Sequence, residues 1–430
     1  MIRANTAEII ITPPIGTTML EPPGVPTTGS HDELCCRAIV FDDGKQRVAI
    51  VTLDLLGMDA PMIQRTQRAI WEQTHIPATN VMLTATHNHS APVTLDCGQD
   101  EYRNRAWEND LVQKIVDCVT QASQNLQPIS LAIGREPVQI GVNRRISIMG
   151  RTRMLANDHA PILPHVDVLR VDTTDGKTMA VLFNHAAHPV TVHTASTQFN
   201  ADYPGATVRY IRQALGKDVM PLFTQGCAGD INVVSLAGGL DEAHRLGNML
   251  GEAVVNTLTN MQTLDVETIT VVNRETLLPF EAIPSSTLDK LEDRIRESTQ
   301  ALTEHDEDPR THHDQQMLMR WLKRVRHAPP GLRFRVQGIA FDNQLVILGM
   351  THELFAAYQI AIEARSPFKH TLTCGYTNGC NGYIPTAEAF YLGGYEVEGA
   401  PKLFGLPRLH PTSEALVHAT VDEALHALYH

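Results

Sequence analysis

The chain has 430 residues, 43% hydrophobic, 19% charged and 5% aromatic, with a formal net charge of −13. That acidic balance argues against binding a phosphate backbone, which needs Lys and Arg to neutralise it. No apolar run reaches the roughly 18 residues of a membrane span, which excludes an integral membrane segment. The seven cysteines (Cys35, Cys36, Cys97, Cys118, Cys227, Cys374, Cys380) are odd in number and scattered, as reduced thiols are. The start has one basic residue and runs into Pro13-Pro14, unlike a signal peptide. The expectation is a cytoplasmic globular protein, long enough for an ordinary core.

In chain order, residues 37–41 and 47–53 alternate about Asp42-Asp43-Gly44 and predict a β-hairpin. Residues 61–75 have helical spacing (Met62, Ile63, Thr66, Ile70), with Pro61 suited to a first turn. A strand over 81–86 then runs into His87, followed by a helix over 110–122 and a short strand over 130–134. Residues 166–171 and 179–183 form a second hairpin. Helices over 204–215 and 241–260 flank an apolar strand at 220–224, and 268–278 alternates as a strand. Residues 285–326 are polar, charged and helix-forming, broken at Glu307-Asp308-Pro309, and read as a surface helical hairpin within 283–331. Its basic end (Arg320, Lys323, Arg324, Arg326) and His312-His313 read as a solvated face rather than a nucleic-acid site. Strands over 333–340 and 344–348, a helix over 353–363, a strand over 371–376 and a helix over 413–429 complete the chain. Interleaved strands and helices with hairpins indicate an α/β fold, mixed β-sheets covered by helices: one domain over 1–430 with a helical insertion.

The 20 histidines are unevenly placed. In Thr84-Ala-Thr-His-Asn-His-Ser-Ala-Pro92, His87 and His89 follow an apolar strand, where open α/β sheets place ligands. An i, i+2 pair on extended backbone points to opposite faces, so the two share a site only if the chain turns near Asn88. Val181 to Val192 ends another strand with His185, His188 and then His193. In both segments, histidines satisfied within a loop are the alternative. Thr224-Gln-Gly-Cys-Ala-Gly-Asp-Ile-Asn232 is a strand followed by a small-residue turn that matches no phosphate-binding fingerprint. Cys227 there reads as a buried small hydrophobe rather than a nucleophile. Glu353 falls in the first turn of the expected helix, where capping is its ordinary role, and Asn381-Gly-Tyr-Ile-Pro385 presents Tyr383. Together these place His, His, Glu and Tyr at the ends of separate strands, which suits zinc with an open position.

The segment Thr86-His-Asn-His-Ser-Ala-Pro92 resembles the Thr-His-Thr-His-Ser-Gly-Pro motif of the neutral/alkaline ceramidase family. Ile11-Thr-Pro-Pro-Ile-Gly16 through Val51-Thr-Leu-Asp-Leu-Leu-Gly57, Asn200-Ala-Asp-Tyr-Pro-Gly205 and Gly382-Tyr-Ile-Pro-Thr-Ala-Glu388 are similar to further family segments, in the same order. The resemblance implies a zinc amidase catalytic domain, without the immunoglobulin-like C-terminal domain of ceramidases. It implies zinc ligands His87, His188 (favoured over His185), Glu353 and Tyr383, with His89 as an orienting or proton-relaying group and Arg144 assisting at the substrate carbonyl. The family's Gly-Asp-x-Ser becomes Gly229-Asp-Ile-Asn232 here, so Asn232 replaces the serine; an amide can donate to an oxyanion but is no useful nucleophile.

The reading is therefore a Zn2+-dependent hydrolase of an amide, ester or lactone in a small-molecule substrate that is not ceramide. Asp202 and Asp230 would orient histidines or cap helices. The alternatives are a zinc lyase or isomerase acting on a sugar-acid-like compound, and a zinc-binding protein without catalysis. A homo-oligomer is compatible with the sequence.

Overall fold

The computed structural model describes residues 1–98, 100–303 and 309–429, without side chains over 298–314. Two sheets lie face to face. The larger runs, in spatial order, Met220–Gln225, Thr178–His185, His165–Thr173, Gln127–Pro137, Arg3–Ile10, Cys35–Asp42, Arg47–Leu53 and Val81–Ala85, with Gln262–Leu264 added beside Gln127–Pro137. The smaller runs Ile269–Pro279, Gly331–Phe341, Leu345–Met350 and His370–Cys374.

Central strands are covered on both faces, which is why Cys35–Asp42 and Arg47–Leu53 bury nearly every residue instead of alternate ones. In Cys35–Asp42, Cys36, Ala38 and Val40 pack with Met62, Ile63 and Ile115 of the covering helices. Ile39 and Phe41 face the other way, against Ile347 and Phe341 of the second sheet. The Phe41 and Phe341 rings meet edge to face at 5.2 Å. Helices Asp202–Leu215 and Leu240–Thr257 cover the rest of the large sheet, and Ser413–Tyr429 covers the small one through Val417, Val421, Leu425 and Leu428. The fold is thus α/β, with mixed sheets covered by helices.

Local chemistry sets several boundaries. Helix Ala60–Thr74 starts where Asp59 accepts from Met62 N, has Pro61 in its first turn, and buries the four residues whose spacing predicted it. Such a cap contributes about 1 kcal/mol. The hairpin closes with Asp42 paired to Arg47 as its turn residues required. Two ribbon strands, Gly141–Ile148 and Arg151–Asn157, were not anticipated. Their many polar and exposed residues give little core-facing periodicity.

The helical hairpin forms from Ser285–Thr303 and Pro309–Val325. It buries Leu288, Ile295, Trp321, Leu322 and Val325 as a small core of its own. Its basic end is bound within the chain: Arg320 to Gly98 O at 2.7 Å and Glu101 at 2.9 Å, Arg324 to Asp96, and Arg326 to Asp289 at 2.8 Å. Arg320 and Arg324 tie the insertion to the segment around residues 96–101, a correction to the solvated-face reading, whereas Arg326 pairs within the hairpin and stays exposed with Lys323. The Glu307-Asp308 break and the His312-His313 side chains lie outside the described residues. Among the described residues no helix is long and apolar enough to cross a membrane.

Candidate metal centre

Three parallel strand pairs, Arg47–Leu53 with Val81–Ala85, Thr178–His185 with Met220–Gln225, and Leu345–Met350 with His370–Cys374, send their following loops into one region. The loop after Val81–Ala85 turns at His87 itself, whose φ is 65°. A histidine in that left-handed region needs support. Asn88 provides it, accepting from Ser90 N at 3.0 Å and donating to Asn200 O at 2.7 Å. The turn brings His89 back beside its neighbour, with the two Nε2 atoms 3.4 Å apart. The condition for the pair to share a site is met one residue earlier than Asn88.

His188 arrives from the loop after Thr178–His185, its backbone bridged to Asn232. Glu353 does not begin a helix. It sits in a two-residue strand, Glu353–Leu354, parallel to Tyr383–Ile384, and helix Ala356–Arg365 starts later. Pairing with that strand holds residue 353 extended, and Asp230 Oδ1, not Glu353, accepts from Ala356 N at 2.8 Å to cap the helix. The pairing also sets Glu353 and Tyr383 side by side in register.

The donor chemistry is decided by the far side of each ring. His87 Nδ1 donates to Leu56 O at 2.8 Å, and His188 Nδ1 donates to Ala228 O at 2.7 Å. Each ring, when neutral, then carries its lone pair on Nε2. Both Nε2 atoms lie 3.2 Å from Glu353 Oε2, and Tyr383 Oη lies 3.5 Å from His188 Nε2. Two lone pairs and a carboxylate oxygen meet with no proton between them. Protonating both rings would relieve this, but burial holds the His87 imidazole below its usual range and, with Arg144 close by, takes His188 down to about 3. Two imidazoles, a carboxylate and a phenol converging in this way fit a divalent cation. His87, His89 and His188 likewise offer nitrogens within 4.8 Å of one another.

Arg144 borders this cluster. Its guanidinium donates to Glu396 Oε1 at 2.8 Å, Asn232 Oδ1 at 3.0 Å and Gly229 O at 2.8 Å, and stands 5.4 Å from the centre of the Tyr383 ring. Burial disfavours its charge, but Tyr383 and Glu396 hold the proton on firmly. Because Asn232 Oδ1 accepts from Arg144, the Asn232 amide keeps its N–H donors for other partners.

Other expectations resolve differently. His185 lies outside the cluster, donating from Nδ1 to His165 O at 2.7 Å. Asp202 accepts from Val192 N at 2.9 Å and Tyr203 N at 2.7 Å, and Asp230 takes Asn143 Nδ2 at 2.9 Å besides its cap. Neither hydrogen-bonds a metal-site histidine, since backbone carbonyls have taken that role; Asp230 caps a helix, as the alternative had it, and Asp202 ties the Val192 loop to the start of its own helix. Cys227 is buried, and burial pushes its thiol far up, so it packs rather than reacts. Several neighbours escaped the sequence reading: Tyr376, its ring tilted against His87 with centres 4.1 Å apart; Tyr395, 5.8 Å from Tyr383; Glu396, between Arg144 and Arg145; and Glu21 beside His89. No local pattern marks them, because each is brought in by a distant loop.

Gly229 shows why the small-residue turn is needed. A Cβ there would lie 2.5 Å from Glu353 O and 2.8 Å from Leu354 O, backbone atoms of the strand that presents the carboxylate. Gly229→Ala should therefore displace Glu353 and destabilise the fold by about 1–3 kcal/mol, read as a lower melting temperature together with weakened metal binding. Unchanged values for both would contradict the close-packing account.

A pH effect follows from His185, whose imidazole burial takes down to about 4 from an ordinary value near 6.5. Between those values the unfolded chain holds the extra proton, so stability is complete above about 6.5 and is lost as pH falls toward about 4. The loss is on the order of 3 kcal/mol. His185→Asn keeps a donor for His165 O without titrating, and denaturant unfolding across this window should show a shallower pH dependence for it. Identical slopes would refute the assignment.

The model of the family described as neutral/alkaline non-lysosomal ceramidase, N-terminal, matches residues 23–234. This stretch, just under half of the chain, is similar to that family. The matched stretch carries His87, His89, Arg144, His188 and Asn232, whereas Glu353 and Tyr383 lie beyond it. Across the whole chain the fold is that of a neutral ceramidase from Pseudomonas aeruginosa, with TM-score 0.74 and 18% identity over 99% of this chain and 74% of that one. A ceramidase structure in complex with C2 is similar at TM-score 0.73 and 17% identity, over 99% of this chain and 75% of that one. No curated protein matches the sequence. At these identities the likeness to the solved ceramidases concerns the fold.

Proposed function

We propose that the chain is a zinc-dependent hydrolase that cleaves an amide, ester or lactone bond in a polar acyl compound. The observation that carries this reading is the meeting of two fixed Nε2 lone pairs with the Glu353 carboxylate, in a chain whose residues 23–234 are similar to the ceramidase family. His87, His188, Glu353 and Tyr383 would hold the ion. When bound, zinc supplies a Lewis acid and makes water nucleophilic near neutral pH.

The remaining steps belong to the chain's own groups. Arg144 offers a fixed positive charge to the oxygen of the carbonyl under attack, and the Asn232 amide offers N–H donors. Preorganisation by Glu396 and Gly229 means that Arg144 need not move as charge develops. His89 Nε2 borders the centre and can carry a proton to the leaving group. Tyr383, beside both His188 and Arg144, orients the substrate or donates a proton. Glu21 and His193, both partly exposed around His89, give the approach a polar character that supports a polar substrate over ceramide. All seven cysteines are free thiols, which supports a cytoplasmic location.

A second reading, a lyase or isomerase, draws on Asn232 standing where a nucleophilic serine would otherwise be expected. Turnover of N-acyl amides, esters and lactones in ¹⁸O-water separates the two. The proposal expects ¹⁸O in the carboxylate product; conversion without label, or no conversion of any compound by zinc-loaded protein, would overturn it.

A further inference from the structure

A second set of donor atoms closes on the other edge of His89. Glu21 Oε1 lies 3.4 Å from His89 Nδ1, and its Oε2 is in close ion-pair contact with His193 Nε2. The His89 and His193 rings stack at 6.2 Å with an interplanar angle of 23°, so both present an edge to the same carboxylate. One ligand atom from each of Glu21, His89 and His193 lies within 4.8 Å of the others. Glu21 Oε2 and His89 Nδ1 are sealed from solvent, yet neither completes a hydrogen bond of good geometry. Buried polar atoms left in that state are costly unless something else satisfies them. Glu21 and His89 come from two separate loops, and His193 opens the short 3-10 helix His193–Ala195.

We propose that Glu21, His89 and His193 form a second divalent-cation site, distinct from the one at Glu353. Two imidazoles and one carboxylate are a donor set for zinc and similar borderline transition ions rather than for calcium or magnesium. Three protein ligands leave a position open, and the partial exposure of His193 and Glu21 gives an ion access. His89 joins the two centres, turning Nδ1 to Glu21 and Nε2 to His87. The inference rests on donor geometry alone and does not require the hydrolytic reading.

The test is a Zn²⁺ titration of chelator-stripped protein by calorimetry, repeated with Co²⁺ followed by visible absorption. Wild type should bind one equivalent more than either Glu21→Gln or His193→Asn, or bind that equivalent about 10²-fold more tightly. Either substitution could disturb its loop, so both are used and scored only where the far-UV spectrum of the metal-free protein matches wild type. Equal binding by wild type and both folded variants would overturn the second site and leave the first intact. A His188→Ala variant that still binds every equivalent would overturn the first site and leave the second.

Discussion

Glu353→Gln should abolish hydrolysis while leaving the metal-free protein folded and at least as stable as wild type. The two halves of this expectation come from one geometry. Without metal, Glu353 Oε2 faces two Nε2 lone pairs at 3.2 Å, which is acceptor against acceptor. A glutamine amide can turn an N–H donor toward those nitrogens and relieve the conflict. With metal, the same change removes the anion of the four-residue set. It leaves a dication among neutral imidazoles, close to the buried Arg144 guanidinium. Uncompensated charge in a buried site is heavily penalised. Affinity should fall by more than the ten- to about hundredfold typical of outer-shell changes. Unfolding curves with and without zinc measure both effects. A Glu353→Gln protein that unfolds without metal would make the carboxylate a structural group rather than a ligand.

Arg144→Met should lower kcat by about 10²–10³ with little change in bound metal. The guanidinium is held by Glu396, Asn232 and Gly229 O, and it reaches the Tyr383 ring without touching either imidazole of the centre. Arg144→Lys should recover little, because one ammonium cannot reproduce three fixed donors. Removing Arg144 leaves Glu396 with Arg145 alone as its charge partner, so a stability loss of about 1–3 kcal/mol should accompany the kinetic effect. Full activity in Arg144→Met would remove it from the mechanism. A fall in metal content equal to the fall in kcat would make it a support of the centre instead.

The central layers of this fold were legible because their chemistry is local. Met62, Ile63, Thr66 and Ile70 announced a helix, and Asp42-Asp43-Gly44 a hairpin, through spacing and turn residues alone. The candidate centre was partly legible for a different reason. His87 and His188 stand just past strand ends, and position relative to a strand can be read from sequence. The place of Glu353 could not be read. Thr351 to Phe355 carries the pattern of a helix start, but a two-residue pairing with Tyr383–Ile384, set by a loop some thirty residues on, overrides it. For Asp202 and Asp230 the orienting role failed, while the capping alternative holds for Asp230, on a helix more than a hundred residues away. Carboxylates near histidines suggest orientation, but Leu56 and Ala228 supply carbonyls first. Glu21 and His193 carry no motif, and only the folded loops bring them to His89.

The most direct test of the central claim is metal content by mass spectrometry. Protein purified without chelator is compared with a His87→Ala/His188→Ala double variant of matched fold. The wild type should carry zinc, and the double variant should carry one equivalent less and have no hydrolase activity. Equal metal in the two proteins, or a wild type that holds none and takes up none when zinc is added, would contradict it.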